Sequence, residues 1–146
     1  MKKHFKRFLI LLLVIVTVSS MGAPAMAAMP PDSDAPQSSA YISAVYASAS
    51  AGSSSVSVSL YIAATGKMTS LGSTTIVLYT SGGSYVGKKT YTSYPAMLGY
   101  NKSYHSDTET FYNLSSGKYY AIVYFKASNS SGYDTTSYTT SYATVG

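Results

Sequence analysis

Apolar residues recur at every second position through most of the chain beyond Tyr41, a period that admits strands and excludes amphipathic helices. Val56, Val58, Leu60 and Ile62 alternate with Ser57, Ser59 and Tyr61, the pattern of a strand covered on one face. Tyr119, Ala121, Val123, Phe125 and Ala127 alternate with Tyr120, Ile122, Tyr124 and Lys126. Both registers of that segment are apolar enough for burial, which predicts a central strand. Thr75 to Tyr79 predicts a further strand. The Ser81-Gly82-Gly83 turn and a return over Tyr85–Thr92 make it a hairpin. A strand over Tyr41–Ser50, one ending at Phe111 and Leu114, and a last one over Tyr133–Val145 after the Asn129-Ser130-Ser131-Gly132 turn complete the set. The expected fold is all-β, an antiparallel sandwich of about seven strands.

With no cysteine in the chain, such a fold has no disulfide to hold it, and packing and ladder hydrogen bonds must do so. Cysteine-based zinc sites and thiol chemistry are excluded for the same reason.

Residues 1–27 carry a different pattern. Lys2, Lys3, Lys6 and Arg7 precede a run from Phe8 to Val18 that is almost wholly apolar, and Ala25-Met26-Ala27 supplies small residues before a cleavage point. These are the three regions of a secretory signal peptide. The run is shorter than the ~20 residues a spanning helix needs. No cysteine follows for lipid attachment and no apolar segment lies near Gly146, so the mature chain is expected to have no stable membrane anchor after cleavage. Its expected place is extracellular, or loosely held at the cell surface. Residues 28–39, with three prolines and two acids, read as a flexible leader; the β-domain is expected over 40–146.

Cleavage also removes the basic character. The chain has a formal charge of +5, but four of its cations lie in the signal peptide. The remainder sets six lysines against five acids, which argues against nucleic acid as a partner.

The segment Leu114-Ser115-Ser116-Gly117-Lys118-Tyr119, with the alternating strand and the Asn129–Gly132 turn after it, resembles the E–F corner and F strand of fibronectin type III domains. The resemblance implies an immunoglobulin/fibronectin III-like sandwich in which Leu114, Gly117 and Tyr119 form a structural corner. The Tyr119 hydroxyl would bond the backbone upstream. Departures are the absence of any tryptophan, the absence of a corner proline, and a Leu-to-Tyr spacing one residue short. The whole chain is also similar to small secreted proteins of Gram-positive bacteria of unknown function. It shares with them Met68-Thr69-Ser70-Leu71-Gly72 and Gly117-Lys118-Tyr119-Tyr120-Ala121. That likeness implies no chemistry.

Catalytic residues are scarce. His105, Asp107 and Glu109 form the one titratable cluster with a histidine beyond the signal peptide. In a strand they would share a face at steps of about 7 Å, a weak metal-binding candidate because the ligands would lie along a line rather than round a point. Any of the many serines could be written into a triad with His105, so the pattern carries no information, and no Gly-x-Ser-x-Gly elbow is present. A non-enzymatic protein without a cofactor is expected. The Asn101, Asn113 and Asn129 sequons are read as chance in a serine-rich chain.

Tyrosine is the outlier, with sixteen copies. Its stiff ring and polar tip suit binding surfaces. Tyr94, Tyr100 and Tyr104 are the ligand-binding candidates. The Tyr94–Tyr100 segment is open to two readings, as a recognition loop with an apolar tip or as a plug in the end of the sandwich. The expected function is binding of an extracellular protein or polysaccharide. The alternative is a structural protein that self-associates along the Tyr133–Val145 edge, because uncharged Ser/Thr/Tyr strands pair readily.

Overall fold

The computed structural model describes residues 39–146; the proposed signal peptide and residues 28–38 of the leader lie outside them. The elements are β1 (Ile42–Ala51), β2 (Ser55–Thr80), β3 (Tyr85–Thr90), β4 (Leu98–Tyr112), β5 (Gly117–Asn129), β6 (Gly132–Thr139) and β7 (Ala143–Val145), with a 3-10 turn at Pro95–Met97. The described residues are all-β, and their seven strands join antiparallel in one curled sheet.

The sheet is organised by β2, which is 26 residues long. Two segments expected as separate strands, 55–62 and 75–79, are its two halves. The first half pairs with β1 on one side and β4 on the other, so that Ile62 stands between Val45 and His105. The second half pairs with β5 on one side, Ile76 opposite Val123, and with β3 and the start of β4 on the other. Between the halves, the pairing with β4 jumps from Ala63–Tyr104 to Met68–Lys102, which makes residues 64–67 a bulge. A bulge bends its strand and increases the local twist. The expected last strand is split in two, because Thr140 is buried between β6 and β7 and its hydroxyl accepts the Ala121 N–H at 3.0 Å.

The inward faces of both halves supply one core. Val56, Val58, Leu60 and Ile62 meet Ile76, Leu78, Val123 and Phe125 there. The curl brings β1 round to the β6 end: the Tyr41 backbone N–H donates to Asp134 Oδ2 at 2.7 Å, and the Tyr46 and Tyr138 rings lie 5.6 Å apart. At the corner before β5, the Tyr119 hydroxyl donates to the Ser115 carbonyl at 2.7 Å while Leu114 packs against the core. The β5–β6 turn is closed by Asn129, whose Oδ1 accepts the Ser131 and Gly132 N–H groups, the local bond that suits Asn to turns.

The Met68-Thr69-Ser70-Leu71-Gly72 motif has a packing role. Met68 and Leu71 are buried. A Cβ on Gly72 would run into the Met97 carbonyl oxygen and lie 2.8 Å from Leu98 Cα; one on Gly99, opposite Leu71, would lie 2.7 Å from His105 Nδ1. The two glycines therefore make room for the imidazole and for the 3-10 turn.

Candidate ligand-binding surface

The structure disperses the sequence candidates. Met97 is 0% exposed and Leu98 is buried, so these two residues plug the core, while Pro95 and Ala96 ahead of them stay exposed. Tyr94 begins this turn, and its ring lies 3.7 Å from Lys89 Nζ. That ammonium also forms a 2.8 Å ion pair with Glu109 on the inward face of β4. Tyr94 is thus committed to the rim of the core. Tyr100 and Tyr104 lie on β4 beside the buried Gly99 and His105 and point away from the core, 59% and 65% exposed.

His105, Asp107 and Glu109 do share one face, the inward one, opposite Ile62, Leu60 and Val58. The His105 Nε2–H donates to the Ala96 carbonyl at 2.8 Å, which places the proton on Nε2, since a carbonyl only accepts. Glu109 is held by Lys89. Asp107 Oδ2 is buried without a hydrogen-bond partner among the described residues. No group of three His, Cys, Asp or Glu among the described residues is placed to hold a metal ion. The row has a physical consequence of a different kind. The far side of β4 is unpaired, and inward-pointing charges on such a strand oppose its extension by another chain.

The remaining tyrosines divide into cover and contact. On the outward face of the second half, Tyr79 and Tyr120 stack at 5.5 Å, with Tyr85 and Tyr142 packed edge-on at either end. Tyr120 is only 7% exposed as a result. Its burial, then the nearby Tyr142 and Tyr79, push its phenol above the ordinary value of 10.0. Tyr104, Tyr100 and Tyr124 instead present exposed rings, and Tyr133 an exposed ring with Lys126 Nζ 5.2 Å from its centre.

Two clefts open beside these rings. One, about 620 Å3, is lined by Tyr124 with Thr74, Thr75, Thr135 and Ser137 among others. The second, about 450 Å3, is lined by Lys67, Asn101, Lys102, Ser103 and Tyr104. It lies where the β2 bulge faces a kink in β4 at Asn101, whose φ is 54°. Asn tolerates that left-handed conformation better than most residues. The contribution of Lys67 and Lys102 was not visible in the sequence, because only the bulged register brings them together.

No protein-family model, curated protein or solved structure matches the chain. Among the described residues, no helix is long and apolar enough to cross a membrane.

Proposed function

We propose that the chain is a secreted, non-enzymatic β-sandwich of the immunoglobulin/fibronectin III-like kind that binds an extracellular or cell-surface ligand, a polysaccharide or a protein. Secretion is supported by the basic head, apolar run and small-residue site of residues 1–27. The sandwich reading is supported by the Tyr119–Ser115 corner and by the two halves of β2 facing one core. The observation that carries the binding reading is the pair of open rings, Tyr100 and Tyr104, beside a cleft of about 450 Å3 lined with hydrogen-bonding side chains. Aromatic platforms flanked by polar groups give broad contact at low entropic cost. The test is retention on whole cells, isolated cell wall and a polysaccharide panel. Tyr100→Ala and Tyr104→Ala are expected to weaken retention, and unchanged affinity in both overturns the reading. With no tryptophan in the chain, tyrosine fluorescence reports binding directly.

A second reading, self-association, is favoured by a contrast between strands. β4 carries inward charges along its unpaired side, whereas β6 pairs only with β5 and carries the single acid Asp134, already engaged by Tyr41. An uncharged Thr/Ser/Tyr edge is a template for another strand, so β6 is the proposed donor within the Tyr133–Val145 segment. A strictly monomeric sedimentation profile at high concentration overturns it.

A further inference from the structure

We infer that the cleft between the β2 bulge and the β4 kink is an anion-recognition site, and that its ligand is a hydroxylated polymer carrying repeated negative groups, read by Lys67 and Lys102 with Tyr104 as the platform. This rests on the binding reading above and adds the charge class of the ligand.

The argument starts from where the charges lie. The described residues hold six lysines against three acids. Those acids are spent elsewhere: Glu109 pairs with Lys89, Asp134 accepts the Tyr41 N–H, and Asp107 faces the core side of β4. The Lys89–Glu109 pair is the one ion pair among the described residues. Among the described residues neither Lys67 nor Lys102 forms an ion pair, yet the fold sets them together. Lys102 is the cross-strand partner of Met68, the residue next to Lys67, and both lysines line the same cleft.

Ammonium groups that line one cleft repel each other. A surface built only for solubility has no reason to pair them. An anion placed between them relieves the repulsion and adds charge-assisted hydrogen bonds. The surroundings extend the same recognition. Asn101 and Ser103 offer an amide and a hydroxyl inside the cleft. Tyr104, exposed beside them, offers a ring face for the polymer backbone. Nothing lies within 4 Å of the position a Gly66 Cβ would take, so the bulge leaves the approach open.

The test measures retention of the full chain on immobilised polygalacturonate and on poly(glycerol phosphate), with dextran as the neutral polymer. The first two separate carboxylate from phosphodiester as the source of charge. Retention on at least one anionic polymer is expected, falling steeply between low and physiological salt as screening sets in. The double variant Lys67→Gln/Lys102→Gln is expected to lose about tenfold or more in affinity. Lys88→Gln/Lys118→Gln, with the same loss of charge outside the cleft, is expected to leave retention unchanged. Equal losses in both double variants make the attraction one of net charge and overturn the inference. So does anionic-polymer binding that ignores Lys67 and Lys102. Binding to dextran alone, weakened by Tyr104→Ala, overturns the anionic class and leaves the binding reading intact. No retention on any polymer, wall or cell overturns both.

Discussion

The two halves of β2 present the same inner face and opposite outer faces. Inward, Val58, Leu60 and Ile62 of the first half and Ile76 and Leu78 of the second are alike in kind and burial. Outward, the first half shows hydroxyls: Ser57 shares a 2.8 Å hydrogen bond with Thr110, and Ser59 a 2.9 Å one with Thr108. The second half shows a buried Val77 and Tyr79, the latter stacked against the ring of Tyr120. The difference follows position. The second half has β5 and β3 beside it, and long rings on three neighbouring strands can shield one another. The first half has β1 and β4, whose outward residues are mostly too short to do so. The inner face sets the fold, and the outer face is free to become cover or contact.

The sharpest way to break this contrast is at Gly72, where the second half meets the 3-10 turn. Gly72→Ala is expected to destabilise by about 3 kcal/mol or more, because the added methyl meets backbone atoms that cannot swing aside. A denaturant midpoint, or failure to recover folded protein, reads this. Next comes a matched pair of tyrosines. Tyr120→Ala is expected to cost about 3 kcal/mol, since it empties the middle of a packed stack. Tyr61→Ala, at a ring 40% exposed on the first half, should cost no more than about 1 kcal/mol. Equal costs would mean that the two outer faces do not differ in kind. Smaller still is Ser59→Ala, which removes one exposed hydroxyl pair; about 0.2–1 kcal/mol is expected, measured by the shift in urea midpoint.

The alkaline limb of stability sharpens the comparison further. The folded state holds the Tyr120 proton more tightly than the unfolded chain does, because its phenol is raised by burial first and then by Tyr142 and Tyr79. Above the ordinary tyrosine range the unfolded chain therefore binds fewer protons, and stability falls as pH rises. The stabilisation is complete below about pH 10 and disappears through the folded pKa. Tyr120→Phe should flatten this dependence in a pH series of denaturation curves.

Strand-by-strand legibility follows from how local each signal is. The period-two runs at 56–62 and 119–127 are local, and they identify the strands and the central place of β5. Residues 64–67, Ala-Thr-Gly-Lys, show no alternation and separate the two runs in sequence, yet the bulge keeps one strand continuous across them. The Leu114–Tyr119 corner is local as well, its hydrogen bond spanning four residues. The fate of each tyrosine is not local. Tyr120 is buried by rings from β2 and from the approach to β7, and Tyr104 is left open because nothing reaches over it. Met97 likewise fills a space bounded by Gly72, which a reading of Tyr94–Tyr100 alone does not contain. The lysine cleft depends on register, and register is a property of two strands together.

A strand that belongs to both halves also governs how the molecule comes apart. The two halves are coupled at β2, on which both draw for their central hydrogen bonds. Local unfolding is ordinarily graded, with separate units opening at separate free energies; here the shared strand couples them. The β1–β2 turn is short, but β2 meets β4 and β5 across some fifty residues of chain, and such distant pairings form slowly. A protease would then meet two halves whose opening is coupled through one strand.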